Sequence, residues 1–253
     1  MNEKCALKIL EINRESYEKI GTRFSDTRNY VWKDFDVFKK YIRSGIDVID
    51  IGCGNGRASS FFEGNECSYT GIDGSVALLS EAKKKFPNHI FFASDLLMLN
   101  TQKELFLKQY DVACCFAVLN HFPHENHWKT ILQNVCALVK PQGYLFMTNW
   151  NLWNITSKKG FWQLSKERVF FSNAMWKKKY GMPKSAFGLQ DIPTLWQSGN
   201  ISAMLYYYSF RMKQLASLVR HAGFEIIESR YIKNGTPAHW WNGTNSAIVA
   251  RKI

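Results

Sequence analysis

Three glycines at alternate positions, directly after a short apolar run, constrain this chain more than any other feature. The segment is Val48-Ile49-Asp50-Ile51-Gly52-Cys53-Gly54-Asn55-Gly56-Arg57. The apolar run predicts a buried strand. Glycine takes up positive φ and lets a ligand approach the backbone closely. A helix after such a loop offers free N–H groups to polar ligand atoms. Strand, tight loop and helix open an open α/β sheet, and the sequence beyond repeats the theme. Residues 46–51, 67–72, 90–93, 111–118 and 144–149 read as strands, with helical patterns between them. Such alternation implies a parallel sheet with helices on both faces.

The helices carry their own signals. Ser75 can N-cap a helix from Val76 that stops at Phe86-Pro87. Trp128, Ile131, Leu132, Val135, Leu138 and Val139 share one helical face, and Lys140-Pro141-Gln142-Gly143 ends that helix. A further helix at 211–222 is closed by Gly223, and residues 224–231 and 246–251 read as two last strands. The chain therefore reads as one domain, 1–253, in four parts. Residues 1–44 form an N-terminal cap of two amphipathic helices with Phe24–Trp32 between them. Residues 45–150 form the ligand-binding core, 151–205 a basic aromatic lid or insertion, and 206–253 the closing helix and strands.

Charge is distributed unevenly. The net charge is +12, and 151–205 holds eight Lys or Arg (158, 159, 166, 168, 177, 178, 179, 184) against Glu167 and Asp191. That surplus, with Trp153, Trp162, Trp176 and Trp196, suggests an anionic or base-bearing partner. The alternative is a solvated lid whose aromatic residues pack on the sheet edge. The six cysteines form no C-x-x-C pair and read as reduced thiols of a cytoplasmic protein. The N-terminus has no signal-peptide core, and the longest apolar run is too short to span a bilayer, so no membrane partner is expected.

Two cofactor classes compete for the glycine loop. A dinucleotide site wants G-x-G-x-x-G, whereas here the third glycine comes one position early and Arg57 follows. The pattern D-x-G-x-G-x-G resembles motif I of class I S-adenosylmethionine-dependent methyltransferases. Three further stretches come in that family's order. They are Thr70-Gly71-Ile72-Asp73-Gly74-Ser75, then Ala93-Ser94-Asp95-Leu96, then 110–122 ending in Asn120-His121-Phe122. Val139-Lys140-Pro141-Gln142-Gly143 is similar to the family's entry into strand five. The resemblance implies a class I methyltransferase Rossmann-like α/β fold with a seven-stranded sheet in order 3-2-1-4-5-7-6. It implies S-adenosylmethionine as cofactor, contacted by Tyr17, Asp50, Gly52, Cys53, Gly54, Asn55, Gly56, Asp73, Gly74, Asp95, Leu96, Phe116 and Ala117.

The flanks narrow the resemblance. Tyr17, Phe24-Ser25-Asp26-Thr27-Arg28 and Trp32 are similar to the entry segment of the tRNA wobble-uridine carboxymethyl methyltransferases. So are Leu205-Tyr206-Tyr207-Tyr208-Ser209-Phe210 and 223–229, although Leu205 and Tyr208 stand where that family has Arg and His. The resemblance implies a tRNA substrate, with Arg28, Tyr206, Tyr207, Tyr208, Lys177, Lys178 and Lys179 as substrate contacts and a small activator subunit as possible partner. A carboxylate acceptor is ionised at pH 7 and needs no base. A nitrogen or hydroxyl acceptor would want one, and His121 is the nearest candidate beside Arg28. His121, His124 and His127 lack H-E-x-x-H spacing, so no metal is expected. A small-molecule O- or N-methyltransferase, or a non-catalytic cofactor- or RNA-binding scaffold, are the alternatives.

Overall fold

The computed structural model describes residues 1–28, 32–156 and 169–253. Ten strands and five α-helices lie among them. The strands are β1 Asp47–Ile51, β2 Ser68–Asp73, β3 Ile90–Ala93, β4 Tyr110–Phe116, β5 Val139–Trp150, β6 Asp191–Ser198, β7 Ile201–Tyr208, β8 Phe224–Lys233, β9 Thr236–Ala238 and β10 Asn245–Lys252. The helices are α1 Glu3–Asp26, α2 Val76–Lys85, α3 Glu125–Leu138, α4 Val169–Tyr180 and α5 Met212–His221.

Eight strands make one sheet in the order β3-β2-β1-β4-β5-β10-β8-β9. Five are parallel, and β10 runs antiparallel to both neighbours. The expected seven-stranded order is therefore extended by one edge strand, the three-residue β9. The sequence around Thr236-Pro237-Ala238 carries no alternation that marks it. Strand β1 shows why the sheet needs helices on both faces. Ile49 and Ile51 point into a core with Ile131 and Val135 of α3 and Leu215 of α5. Val48 points the other way, into a core with Phe35, Phe38 and Leu79 of α2. Each aromatic ring buried there contributes roughly 1.5–3 kcal/mol.

The N-terminal cap departs from expectation. One 24-residue α-helix, α1, takes in Phe24, Ser25 and Asp26, and the second helix is a 3₁₀ segment, Lys33–Tyr41. Asp34 anchors that segment while buried, accepting the Gly235 N–H at 2.6 Å and Asn245 Nδ2 at 2.5 Å. The fourth strand ends two residues early, at Phe116, because Ala117 turns the chain at φ +57°. The insertion holds a second small sheet, the β6–β7 hairpin, which α1 covers. Asn13 and Ser16 of α1 supply partners to the backbone of β7. Lys158, Lys159, Trp162, Lys166 and Arg168 lie outside the described residues.

The order in which strands are added reverses at β1, whose neighbours β2 and β4 both run parallel to it. The carboxyl ends of β1 and β4 thus frame a switch-point crevice, where open α/β sheets bind ligands. Helix α1 lies over its rim.

Candidate active site

A cavity of about 1360 Å³ fills this crevice. Small-molecule pockets run to roughly 300–1,000 Å³, so there is room for a cofactor and part of an acceptor.

Its floor is the glycine loop. Gly52 sits at φ +72°, and a Cβ there would lie 2.5 Å from Val118 Cγ2. The N–H groups of Gly52 and Cys53 donate to the Ile72 carbonyl at 2.7 and 2.9 Å, which ties the loop to β2. Gly54 N–H donates to Asp73 Oδ2 and Ser75 N–H to Asp73 Oδ1, both at 2.8 Å. The Asp73 carboxylate is thereby fixed at the carboxyl end of β2 with its remaining lone pairs on the cavity. Burial pushes its pKa up, and the backbone donors oppose that. Asn55 holds buried Ser25 of α1 through Nδ2–Oγ at 3.1 Å.

Asp50 is buried under this loop. Its Oδ2 accepts the Tyr69 hydroxyl at 2.5 Å, while Oδ1 has no partner. Burial raises its pKa to about 7, against the opposing Tyr69 bond. An orphaned carboxylate oxygen beside backbone donors matches the ammonium and carboxylate of an amino-acid end. On the neighbouring wall Asp95 caps a 3₁₀ turn by accepting the Leu97 N–H at 2.9 Å, and Leu96, Leu97 and Phe116 offer apolar surface. Gly74 and Ala117 line the cavity as well. These residues fit an adenosyl group with an amino-acid tail.

At the other end His121 stands among aromatic rings. Tyr17 meets it edge-on, with the hydroxyl 3.4 Å from Nε2, and Trp150 and Tyr207 pack on it at centroid distances of 6.1 and 5.1 Å. Burial pushes the pKa of His121 down to about 4, so the ring is neutral at pH 7. Arg28 lines the same cavity, 4.8 Å over the Phe24 ring, with Nη1 donating to Thr27. Among the described residues no carboxylate forms an ion pair with it.

The structure brings together Tyr17, Arg28, Asp50, Gly52, Cys53, Gly54, Asn55, Asp73, Gly74, Asp95, Leu96, Phe116, Ala117 and His121 on one cavity. Gly56 lies behind it, packed on Ala82, Phe86 and Phe91. The three tyrosines of β7 divide by strand alternation. Tyr207 backs the His121 cluster. Tyr206 is buried on the opposite face, hydrogen-bonded to Asp191. Tyr208 packs on Trp128 and Phe210. Lys177, Lys178 and Lys179 are exposed in the last turn of α4, next to Tyr180, Gly181, Met182 and Pro183 on the cavity rim. Trp150 and Phe35 also line the cavity, and no local motif marks either one.

Away from the cavity, Glu3, His124 and His127 each place one ligand-type atom within 4.8 Å of the others. Glu3 Oε1 lies 2.9 Å from His127 Nε2, and the buried Nδ1 of His127 has no partner. This contact holds the start of α1 against the start of α3.

A family profile described as a methyltransferase domain matches residues 23–229. The tRNA (carboxymethyluridine(34)-5-O)-methyltransferase of Schizosaccharomyces pombe is 32% identical over 233 residues, 91% of this chain and 94% of the relative. The enzyme of the same name from Arabidopsis thaliana is 30% identical, over 53% of this chain and 31% of its own length. Among solved structures, a SAM-dependent methyltransferase from Methanosarcina mazei superposes with a TM-score of 0.62 at 19% identity, over 86% of this chain and 97% of the other. A Burkholderia thailandensis 1,6-didemethyltoxoflavin N1-methyltransferase, solved with S-adenosylhomocysteine, gives 0.60 at 16% identity, over 98% of this chain and 90% of that one.

Proposed function

The chain belongs to the S-adenosylmethionine-dependent methyltransferase family, and from that premise we propose that its acceptor is the carboxylate of a carboxymethyl-type wobble uridine in tRNA. The observation that carries this reading is Arg28. Arg28 lines the same cavity as the glycine loop and His121, with no carboxylate paired to it among the described residues. A guanidinium is a fork matched to a planar carboxylate. The names of the fission-yeast and Arabidopsis relatives support the same acceptor.

The cofactor supplies an electrophilic methyl group on a sulfonium. The chain's residues bind and orient around it. Asp73 offers its free lone pairs to ribose hydroxyls. The unpartnered Oδ1 of Asp50 takes an ammonium N–H. Leu96 and Phe116 would offer apolar surface to the cofactor's ring. A carboxylate acceptor is already ionised, so no base is required and His121 need not titrate. Arg28 holds the acceptor, and Tyr17, His121, Trp150 and Tyr207 form a wall that excludes water from it. Positioning of this kind reaches effective molarities on the order of 10⁵ M or more.

The test is mass spectrometry of tRNA nucleosides before and after incubation with enzyme and cofactor. A methyl ester on carboxymethyluridine is expected. Label that enters small molecules and not RNA overturns the reading, and turnover insensitive to ribonuclease marks a small-molecule enzyme. Arg28→Lys keeps the charge and loses the fork. We expect its acceptor KM to rise about tenfold or more, with cofactor affinity within twofold, by steady-state kinetics and calorimetry.

A further inference from the structure

The turn between β9 and β10 exposes two tryptophans on a backbone that the fold holds rigidly. Trp240 is 53% exposed and Trp241 38%. Asn151 Nδ2 donates to the carbonyls of Trp240 and Gly243 at 2.7 and 2.9 Å. Asn154 Nδ2 donates to those of Asn242 and Gly243 at 3.1 and 2.8 Å. The Ile155 N–H donates to the Trp241 carbonyl at 2.9 Å. Within the turn, the His239 N–H donates to Asn242 Oδ1 at 2.9 Å and the Gly243 N–H to the His239 carbonyl at 2.8 Å. Asn151 and Asn154 are themselves buried, so two core amides serve a loop whose largest side chains face outward.

We infer that residues 239–241 form a stacking platform for unpaired nucleobases of the RNA beside the acceptor cavity. The inference rests on the tRNA reading above. Position supports it. Asn245, the first residue of β10, pairs with Trp150, and Trp150 lines the cavity. The turn therefore leaves the sheet at the edge where the acceptor must enter. Ring geometry supports it as well. His239 lies parallel to Trp241, at 4.2 Å and 3°, and Trp240 stands perpendicular at 87°. A flat, pre-stacked pair presents a π-face that a base extends, and stacking of this kind tolerates any base. Because the backbone is already ordered, binding need not order it. Charge is complementary: exposed Lys233 ends β8, the strand on which β9 pairs, and the chain carries +12 overall. A small acceptor enclosed by the cavity has no use for such a surface. A loop of RNA with its wobble nucleotide extruded presents neighbouring unpaired bases to the surface around the cavity.

The test uses the full chain and a synthetic anticodon stem–loop carrying 5-carboxymethyluridine, with binding read by fluorescence anisotropy. W240A and W241A are each expected to weaken binding about tenfold, about 1.4 kcal/mol. The slope of log K against log salt should not move, because no phosphate contact is removed. W240F and W241F should recover most of the affinity. Calorimetry with S-adenosylmethionine should give wild-type affinity for all four, which separates stacking from misfolding. Wild-type methylation of the stem–loop together with unchanged affinity in W240A and W241A overturns this inference alone, and leaves the turn to a protein partner. Failure of the wild-type protein to bind or methylate the stem–loop overturns the tRNA reading and this inference with it.

Discussion

Gly52 and Gly54 share a backbone sign and differ in surroundings, so they separate strain from crowding. Both have positive φ, +72° and +56°, which costs an L side chain roughly 1–2 kcal/mol. A Cβ at Gly52 also strikes Val118 at 2.5 Å, whereas at Gly54 its nearest neighbour is Leu78 Cδ1 at 3.9 Å. Gly52→Ala should lower the melting temperature and abolish cofactor binding. Gly54→Ala should stay folded, with a loss near 1 kcal/mol and weakened cofactor binding, measured by thermal unfolding and calorimetry. Asp50 gives a pH-dependent counterpart. Its folded pKa near 7 lies above the ordinary 3.8, so between those values the native state holds a proton that the unfolded chain has lost. Stability therefore falls as pH rises from about 4 to 7 and levels off above, by an amount on the order of 4 kcal/mol from this group. A cation at the orphaned Oδ1 stabilises the ionised form. Cofactor affinity should consequently weaken up to tenfold per pH unit below about 7, a slope that calorimetry should find missing in Asp50→Asn. The residues behind both effects were legible in the sequence, because strand, glycine spacing and following acid are local. Trp150 was not, since its orientation toward His121 arises from the packing of β5, and although the Tyr206-Tyr207-Tyr208 run marks Tyr207, its place against His121 is set only by the packing of β7.

At the level of elements, the parallel half of the sheet was readable from apolar runs and helix stops. The β6–β7 hairpin was not. Strand β7 is buried on both faces, with α1 on one side, so Met204-Leu205-Tyr206-Tyr207-Tyr208 lacks the alternation that betrays a strand. The cap and the hairpin depend on each other through one residue. Asn13 Nδ2 donates to the carbonyls of His121 and Tyr206 at 3.1 and 3.3 Å, and Asn13 Oδ1 accepts the Tyr206 N–H at 2.9 Å. Asn13→Ala strands three backbone groups where little water reaches, at about 1–3 kcal/mol for each group left unsatisfied. Urea unfolding should show a loss of at least about 2 kcal/mol, and the Tyr206 amide should exchange faster than those of β1. Asn13→Asp should cost no less, because a buried carboxylate restores the acceptor and sets a charge against two carbonyl oxygens. The acceptor end of the cavity should suffer in both variants, since His121 loses the anchor on its carbonyl.

Across the whole molecule the question is what the surplus of positive charge is for. No helix among the described residues is long and apolar enough to cross a membrane. The tRNA acceptor proposed above would give that charge a polyanionic partner. Lys177, Lys178 and Lys179 make the test sharp, because a structural role is equally available to them. They occupy the last turn of α4, where cations interact favourably with the helix dipole by roughly 0.3–1 kcal/mol each. If that is their whole contribution, replacing all three with alanine lowers stability slightly and leaves RNA binding alone. If they meet phosphates at the cavity rim, each takes about 0.7–0.9 off the slope of log K against log salt. The triple variant should then lose about two units of slope in a salt titration with tRNA, and its cofactor affinity should stay at the wild-type value. An unchanged slope would return the lysines to the helix terminus and move the anion-binding surface elsewhere on the chain. The paired outcome, slope reduced by the lysines and intercept reduced by Trp240 and Trp241, would assign phosphate and base contacts to two different elements flanking one cavity.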